Sequence, residues 1–526
     1  MGKRATGTPI AGIELKRGTA LPLYRQIDAA FRQAILDGRL SGGTRIPSSR
    51  ALAEQLGVSR LTVTNALEQL TAEGYLESRV GSGTKVAFAL PNERFAGQRL
   101  GAQTHSRPQK PTSIVLSRRG ATIAGFTPRR DPQRGEPRPF RLGAPALDSF
   151  PYAEWVRLSA ACRRHIRAAA LGYGEPAGYH PLREAIAGYL GPARGVRCTA
   201  ENVVIVTGAQ QAFGSALRLL TDVGDTVWVE DPGYGGVRGA VMAAGARLRP
   251  VRVDSEGLTL EADSKHQPRP RLIFVTPSHQ FPLGMTMSLT RRLALLRWAA
   301  RSGASILEDD HGSEYRYTGR PLSALQGLDT DDRVIYVGTF SKVLFPALRL
   351  AYAVVPTKLV AGFSAANSLL VGAPPLLEQA TVAEFIAQGQ FARHIARMRS
   401  LYRERQAALI EAATRHLKGL LALEPSEAGM HLVGRLPHGM DDRAVANAAA
   451  DAGIEVAPLS ALSVQARPAP GLILGFASSP SSELEVASAR LATVLEKASR
   501  DRKGFGRSHQ DALRHRGRRP TRGRVW

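Results

Sequence analysis

The chain has 526 residues, of which 43% are hydrophobic, and 70 Lys and Arg against 45 Asp and Glu leave a net charge of +25. A chain of this length forms about three domains, or one small and one large domain, and its hydrophobic content excludes wholesale disorder. The two cysteines, Cys162 and Cys198, form no CxxC pattern, which excludes a disulfide framework and a cysteine-rich zinc site, and we expect no bound metal.

The chain begins without the apolar segment of a signal peptide, and its longest uncharged run, residues 359–377, carries Ser, Asn, Gly and a Pro-Pro pair. We therefore expect a cytoplasmic protein without a membrane span. The positive charge favours a polyanionic partner and is unevenly distributed, with +5 in residues 1–88, +7 in 89–140 and +7 in 501–526.

These shifts in composition predict the domain boundaries. Residues 1–88 form a small domain, and 89–140, rich in Pro, Gly and Arg, form a flexible basic linker. Residues 141–500 form a large domain with a small C-terminal subdomain from about residue 400, and 501–526 form a disordered basic tail. The linker and tail are either plainly solvated or make auxiliary contacts with DNA phosphates.

Three short helices are predicted within residues 1–88. In the first, apolar residues recur every four positions, at Leu23, Ile27, Phe31 and Ile35. Ser48 and Ser59 stand where the N-caps of the second and third helices belong, and Gly57 ends the second. The third helix has an apolar face of Val63, Ala66, Leu67 and Leu70.

The second and third helices fit a helix-turn-helix. The outward side chains of the third helix can hydrogen-bond phosphates or base edges in a major groove, and they are Arg60, Thr62, Thr64 and Asn65. Residues 75–86 predict a hairpin with a basic edge around a Gly-Ser-Gly turn, the wing of a winged helix. A three-helix module without a DNA role is the alternative that periodicity alone leaves open.

Residues 21–87, including RIPSSRALAEQLGVSRLTVTNALEQLTAEGYLESRVGSGTKV, closely resemble the winged-helix domain of GntR-type transcription regulators. The resemblance implies binding to double-stranded DNA, at an operator with repeated half-sites. The residues predicted to contact DNA are Arg45, Arg50, Ser59, Arg60, Thr62, Thr64, Ser82, Gly83 and Thr84.

Beyond residue 141, strands rich in Val, Ile and Leu alternate with helices, which predicts a largely parallel sheet buried on both faces. The strands are predicted at residues 203–207, 226–230, 271–276, 304–309, 333–338 and 350–355. Ligands bind beyond the carboxyl ends of such strands. Four chemically distinctive sequences follow those ends: Gly208-Ala209-Gln210, Asp231-Pro232-Gly233-Tyr234, Asp309-Asp310-His311 and Thr339-Phe340-Ser341-Lys342.

Together these residues fit pyridoxal 5′-phosphate (PLP). A lysine after a strand can form an imine with an aldehyde, and a carboxylate can hold a pyridine nitrogen protonated. A Gly-rich turn before a helix offers N–H groups to a phosphate, and an aromatic ring can stack on the pyridine. A solvated surface lysine is the alternative for Lys342 taken alone, whereas the combination favours PLP.

The same region resembles fold-type I PLP enzymes of the aminotransferase family over about residues 140–495, in sequences such as VEDPGYGG, EDDHGSEYRY and GTFSKVLFPALRLAY. Joined to the winged helix, it resembles the MocR subfamily of GntR regulators. The implied fold is a multidomain α/β protein, with an N-terminal winged helix-turn-helix and a large fold-type I PLP-dependent aminotransferase-like domain.

The resemblance also implies roles for individual residues. Lys342 would hold PLP as an internal aldimine, Asp309 would pair with the pyridine nitrogen, and Tyr234 would stack on the ring. The remaining implied contacts are Gly208, Ala209, Gln210, Thr339, Ser341 and Arg349 around the phosphate, His279 and His311 on the O3′ side, and Tyr173 from the neighbouring subunit of a domain-swapped homodimer.

Two positions depart from the family's pattern. His311 stands where the family usually has Tyr; an imidazole can also donate to O3′, and packing is its alternative role. Ile473 occupies the position of an arginine that holds the substrate carboxylate in aminotransferases, and an aliphatic side chain cannot do this. For His431, the sequence does not distinguish a role in packing from contact with the ligand.

Three functions remain open. The first, which we favour, is a transcription regulator whose aminotransferase-like domain senses PLP or an amine or amino-acid effector. The second is an active aminotransferase that carries a DNA-binding domain, against which Ile473 argues. The third is a degenerate domain that dimerises without cofactor, against which Lys342, Asp309 and Arg349 argue.

Overall fold

The structure, a computed structural model, describes residues 15–19, 21–79, 83–88, 115–126, 138–166, 172–260, 268–319, 322–466 and 468–516, with the backbone alone for residues 79 and 501–516. It divides into two compact units, an N-terminal unit (Met1–Ile114) and a C-terminal unit (Val115–Trp526). Within the described ranges, no helix has the length and apolar character needed to cross a membrane.

The N-terminal unit contains the three predicted helices and the predicted hairpin. Its elements are α1 (Leu23–Leu36), α2 (Ser49–Leu56), α3 (Arg60–Ala72), β1 (Leu76–Arg79) and β2 (Gly83–Val86). One apolar core draws residues from all five, among them Phe31, Leu52, Val63, Leu76 and Val86.

The predicted ends of α2 and α3 are confirmed. Ser48 Oγ accepts a hydrogen bond from the N–H of Ala51, and Ser59 Oγ accepts one from the N–H of Thr62. Gly57 ends α2 in the left-handed conformation with φ 62°, which glycine adopts without a steric penalty. The turn between α2 and α3 is therefore fixed by hydrogen bonds among near neighbours in sequence.

The C-terminal unit is built around an eight-stranded sheet. Its strands are β3 (Val203–Val206), β4 (Thr226–Asp231), β5 (Arg247–Asp254), β6 (Gly257–Leu258), β7 (Leu272–Val275), β8 (Ser305–Asp310), β9 (Val334–Thr339) and β10 (Ala351–Val354). They lie in the order β3-β10-β9-β8-β7-β4-β5-β6. The sheet is parallel except that β10 runs antiparallel to β3 and β9, and β6 antiparallel to β5. Strands β5 and β6 were not predicted, because only Val251 of β5 is buried and charged residues interrupt the apolar ones in its sequence.

Helices cover both faces of this sheet. The described helices of the C-terminal unit are α4 (Arg118–Gly125), α5 (Tyr152–His165), α6 (His180–Arg194), α7 (Ala209–Leu220), α8 (Gly235–Ala244), α9 (Leu289–Ser302), α10 (Leu325–Leu328), α11 (Thr357–Leu370), α12 (Leu376–Ala387), α13 (Gln390–His416), α14 (Asp442–Asp451) and α15 (Ser481–Arg516). In β3, Val203 and Ile205 pack into one apolar cluster with Leu182 of α6, whereas Val204 packs into another with Phe213 of α7. The burial of both faces agrees with the prediction.

A second, four-stranded sheet lies in the C-terminal part of the chain. Its strands are β11 (Ala422–Leu423), β12 (His431–Arg435), β13 (Ala457–Pro458) and β14 (Gly471–Gly475), in the order β11-β12-β14-β13. Their core includes Tyr402 of α13 and Leu491 of α15, and also Phe140, which lies far away in sequence. The N–H of Gly475 donates a 2.9 Å hydrogen bond to the carbonyl of Phe140. The segment before α5 thus packs on the small sheet.

The described part of the predicted linker contains a helix, α4, which corrects the expectation of unpatterned chain over the whole of 89–140. Ser117 Oγ caps it by accepting a 3.0 Å hydrogen bond from the N–H of Gly120. Phe126 then packs on Gly239 of α8, where a side chain would lie 2.7 Å from the phenyl ring. A cap and a contact with a distant glycine stabilise this helix, and neither produces a sequence period. Residues 89–114 and 127–137 lie outside the described residues.

The predicted disordered tail is wrong for residues 501–516, because α15 continues to Arg516. Extending an existing helix is less costly than nucleating a new one, and no proline occurs between Ser481, where α15 begins, and Pro520. Residues 517–526 lie outside the described residues.

Candidate functional site

In the N-terminal unit, an open groove of about 790 Å³ lies between α3, the start of α2 and the hairpin. Four of the predicted DNA contacts line it together, namely Arg45, Thr64, Gly83 and Thr84. They come from three separate elements, so tertiary packing assembles this part of the surface.

The first turn of α3 carries further predicted contacts. Arg60 is exposed, and its Nε donates a 3.2 Å hydrogen bond to Ser49 Oγ, which ties the start of α3 to the start of α2. The hydroxyl groups of Ser59 and Thr62 lie 2.8 Å apart and share a hydrogen bond. Their role in capping α3 therefore engages both hydroxyl groups before any DNA contact.

Arg50 is exposed in the first turn of α2, and Ser82 lies outside the described residues. Leu61, between Arg60 and Thr62, is 70% exposed and was not singled out from the sequence. The start of α3 thus presents apolar as well as cationic surface.

In the C-terminal unit, Gly208 and Arg349 form one end of a candidate cofactor site. Gly208 has φ 147°, a region open to glycine, and a side chain there would lie 3.3 Å from the Arg349 guanidinium. Helix α7 begins at the next residue, and nothing in the described part of the chain accepts a hydrogen bond from the N–H of Ala209 or Gln210. A guanidinium beside a free helix N-terminus can bind a phosphate.

Thr339 is the last residue of β9, and Ser341 immediately precedes Lys342. Thr339 Oγ1 accepts a 3.2 Å hydrogen bond from the Ser341 N–H, and Thr339 pairs with Ala351 of β10 across the sheet. Since Arg349 lies two residues before β10, this pairing brings the lysine loop beside the arginine. Gln210 donates from Nε2 to the carbonyl of Gly236 at 2.8 Å, so its side chain joins the starts of α7 and α8.

The Nζ of Lys342 donates a 2.7 Å hydrogen bond to the carbonyl oxygen of Gly143. Burial lowers the pKa of Lys342, and the carboxyl of Asp309 opposes this shift. A lowered pKa increases the fraction of neutral amine near pH 7, which is the form that attacks an aldehyde. Gly143 was missed from the sequence; its φ of 70° is the only local sign, and a sequence does not display it.

Asp309 and Asp310 end β8 and point to opposite faces of the sheet. Asp310 accepts hydrogen bonds from Arg194 Nε at 2.9 Å and Tyr336 Oη at 2.7 Å, and these partners hold its pKa below the usual value against the effect of burial. The carboxyl of Asp309 accepts no hydrogen bond from any described residue, and His311 Nδ1 lies 3.9 Å from it. Burial and the nearby Asp310 and Glu230 raise its pKa to about 8, while Lys342 opposes the shift. A buried carboxyl without a partner fits a protonated ring nitrogen.

Tyr234, immediately before α8, is 38% exposed. Its ring makes edge contacts with Phe213 and Phe281, with centroids 6.3 and 6.0 Å apart. Burial and the nearby Asp309 raise the pKa of its hydroxyl. Gly236 leaves space for the ring, because a side chain there would lie 2.4 Å from it. Tyr234 therefore lies near Asp309 with an aromatic face available.

Three imidazole rings, His279, His311 and His431, form what we call the imidazole cluster. The ring centroid of His279 lies 6.1 Å from that of His311 and 5.4 Å from that of His431. The ring of Phe281 contacts His311 and His431. Burial lowers the pKa of all three, that of His311 to about 4. The rings are therefore neutral near pH 7. Among the described residues, no three His, Cys, Asp or Glu side chains converge as a metal ion would need.

The polar atoms of this cluster are only partly paired. His431 Nε2 hydrogen-bonds the carbonyl of Pro282 at 2.9 Å. Both ring nitrogens of His279 and the Nε2 of His311 are buried without a hydrogen-bond partner in the part of the chain that the structure describes. His279 and His311 were predicted for this region from the family pattern, whereas Phe281 was missed.

Ile473 and Tyr173 occupy contrasting environments. Ile473 is fully buried in β14 and packs with Ala457 and Leu459, and Leu142 packs against the same cluster. Tyr173 is fully exposed, so it is not part of the buried site in its own chain.

Known families match both units. Residues 23–86 match the bacterial regulatory proteins of the gntR family, and residues 143–491 match aminotransferase class I and II. The structure of LysN, the alpha-aminoadipate aminotransferase of Thermus thermophilus complexed with N-(5'-phosphopyridoxyl)-L-leucine, is similar with a TM-score of 0.63 and 29% identity, over 68% of this chain and 92% of that one. The multiple substrate aminotransferase of Thermococcus profundus has a TM-score of 0.66 and 25% identity, over 73% of this chain and 98% of that one. The large unit has the fold-type I aminotransferase fold.

Several relatives extend across both regions. The probable rhizopine catabolism regulatory protein MocR of Rhizobium meliloti is 43% identical over 88% of this chain and 92% of that protein. The pyridoxine biosynthesis transcriptional regulator PdxR of Corynebacterium glutamicum is 30% identical over 88% of this chain and 92% of that protein. The chain belongs to the MocR subfamily of GntR-type transcription regulators, in which a DNA-binding helix-turn-helix precedes an aminotransferase-like domain.

Proposed function

We propose that this regulator holds PLP at Lys342 and changes its DNA binding in response to PLP itself, or to an amine or amino-acid effector in the same site. The observation that carries the proposal is the grouping of Lys342, Arg349 and an Asp309 carboxyl without a hydrogen bond at the edge of the sheet where β8 and β9 end. Since DNA is its target, we propose that it acts in the cytoplasm.

The residues present fit PLP. The missing side chain of Gly208 leaves space beside Arg349 for a phosphate, and the first N–H groups of α7 add hydrogen-bond donors. Asp309 offers a buried carboxyl without a hydrogen bond, and Tyr234 offers an aromatic face. When bound, PLP supplies an aldehyde that bonds reversibly to a primary amine.

Each side chain would have a distinct task. Lys342 provides a neutral amine, which the carbonyl of Gly143 orients. Asp309 holds a proton at the ring nitrogen, and Arg349 neutralises the phosphate. His311 lies 3.9 Å from Asp309, measured from Nδ1 to Oδ2, and it would donate a hydrogen bond to O3′ of bound PLP.

We propose a domain-swapped homodimer in which Tyr173 of one subunit reaches the phosphate site of the other. Its full exposure supports this, because a tyrosine otherwise tends to bury its ring. A dimer would present two copies of α3 to the repeated half-sites of an operator. An effector would then act by binding one arrangement of the dimer more tightly than another.

Catalytic transamination is the second candidate function, and the set of Lys342, Asp309 and Arg349 favours it. Ile473 opposes it, since the apolar cluster around this residue offers no cation to a substrate carboxylate. A domain that dimerises without cofactor is a third candidate, and that same set of three residues opposes it.

One set of measurements tests the proposal. The purified protein should absorb visible light, and borohydride should fix a pyridoxyl group that mass spectrometry locates on Lys342. The protein should retard DNA from its own upstream region, and an amino acid with a keto-acid acceptor should give little turnover. A pyridoxyl group on another lysine, or rapid multiple turnover, would contradict the corresponding part.

A further inference from the structure

The side chains around Ile473 affect which effector the site accepts, rather than how the site holds PLP. Ile473 takes the place of the family's carboxylate-binding arginine, it is fully buried, and it packs with Ala457 and Leu459. Leu142 packs against this cluster, and the next residue, Gly143, accepts the hydrogen bond of Lys342. An apolar surface therefore adjoins the reactive lysine, and a carboxylate placed there would lose its hydration without gaining a counter-charge.

Other cations do not compensate for this change. Arg316, which acts electrostatically on His279, donates to Glu427 Oε2 at 2.6 Å and to Thr286 Oγ1 at 3.4 Å. Arg238 donates to the carbonyl of Leu462 and lies 3.9 Å from the carboxylate of Asp231. The Nη2 of Arg238 and both Nη groups of Arg316 are thus already hydrogen-bonded, so neither guanidinium presents a free two-bond fork to a carboxylate.

The imidazole cluster has a different chemistry from a cation. A neutral imidazole presents one N–H donor and one lone pair. Three ring nitrogens, two on His279 and one on His311, have no partner among the described residues. A hydroxyl group both donates and accepts, so it can pair with either nitrogen of such a ring. A carboxylate can pair only with the N–H, and it would bring its charge into a buried region without a counter-charge.

From this geometry we infer that the effector is a primary amine that carries hydroxyl groups and no carboxylate. Its amine would react at the Lys342 site, and its hydroxyl groups would pair with the imidazole cluster. Its carbon skeleton would lie on the partly buried side chains that pack against Ile473, namely Leu142, Leu283 and Leu462. The inference rests on the proposed function, and it removes amino acids from the effectors left open above.

A matched pair of probes distinguishes an amino-acid effector from a hydroxylated amine without a carboxylate. L-Serine and 2-amino-1,3-propanediol differ only in that a hydroxymethyl group replaces the carboxylate. Each is titrated into the full-length protein loaded with PLP, and the dissociation constant is taken from the visible absorption and from calorimetry. We expect the diol to bind at least about tenfold more tightly than L-serine, because a charge without a partner is costly to bury. Butylamine, which has neither group, should bind more weakly than the diol.

Variants of Ile473 and His279 assign the preference to the residues. Ile473→Arg should shift the preference toward L-serine by about tenfold or more, whereas Ile473→Leu should retain the preference for the diol. His279→Phe should weaken the diol about fivefold and leave butylamine unchanged. Should the buried arginine prevent folding, the ratio in the unaltered protein and in Ile473→Leu still decides the question.

The outcomes distinguish this inference from the proposed function. A protein that shows no visible absorption after loading would contradict PLP binding at Lys342. It would then also contradict the inferred effector, which rests on that binding. A loaded protein that binds L-serine as tightly as the diol would overturn the inference alone. Equal binding of butylamine and the diol would overturn the role of the imidazole cluster.

Discussion

The amine of Lys342 hydrogen-bonds at 2.7 Å to the carbonyl of Gly143, a residue 199 positions earlier in the chain. Gly143 has φ 70°, and a side chain on it would lie 2.8 Å from the amine. The backbone before α5 thus orients the lysine, and it can do so because position 143 has no side chain.

Gly143→Ala should weaken PLP binding about tenfold, because the new methyl group displaces the amine and the left-handed backbone costs alanine about 1 kcal/mol. Titration with PLP, followed by visible absorption, measures the effect. Gly188→Ala is the matched control, since a side chain there meets nothing within 4 Å. Equal affinities of the two variants would contradict the role of Gly143.

Arg349 combines a functional side chain with an unfavourable backbone, since its φ is 53°. Arg349→Gly should weaken PLP binding by about 10- to 100-fold through loss of a charge-assisted contact with the phosphate, worth about 1.5–3 kcal/mol. The melting temperature of the cofactor-free protein should not fall, because glycine adopts this conformation freely. Retained PLP affinity would show that the guanidinium does not bind the phosphate.

Asp309 should make the stability of the cofactor-free protein depend on pH. Its folded pKa is raised to about 8, whereas an unfolded aspartate titrates near pH 4. Between about pH 4 and 8 the folded protein therefore binds more protons than the unfolded chain, and the free energy of unfolding decreases as pH rises.

Asp309→Asn should flatten this decrease, as measured by urea unfolding at several pH values in that window. Burial raises the pKa of Glu230 and that of Glu308 to about 7, so these two residues should maintain part of the slope. Asp222→Asn, at an exposed position, serves as the control. An unchanged slope in Asp309→Asn would mean that this carboxyl is ionised in the folded protein.

Arg60→Ala should weaken operator binding about 10- to 100-fold, the loss expected for one specific arginine contact. Fluorescence anisotropy with a fragment of the upstream region measures it. Arg39→Ala removes an exposed arginine that follows α1 in the same unit, and it should change the affinity much less. If both variants lose the same amount, Arg60 supplies charge but does not recognise bases.

Deletion of residues 501–526, which carry a net charge of +7, should weaken DNA binding at low salt and make its dependence on salt less steep. The preferred site should not change, because contacts with phosphates carry no sequence information. Competition between operator and unrelated DNA measures this preference. A changed preference would mean that the tail reads sequence.

The sequence by itself predicted those features that near neighbours determine. The caps at Ser48 and Ser59 join residues three positions apart, and apolar strands followed by polar residues predicted where β8 and β9 end. The family pattern located Lys342 and identified the change at Ile473. These are local properties, since hydrogen bonds within a turn and the period of a strand involve only a few consecutive residues.

The tertiary structure alone decided which distant residues meet. It brought the carbonyl of Gly143 to Lys342, joined His279, Phe281 and His431 into one cluster, and stabilised α4 through Phe126 on Gly239. It also determined that Ile473 lies in an apolar surrounding rather than near another cation. Such contacts depend on the packing of segments far apart in the chain, and the spacing of residues along a sequence contains no record of them.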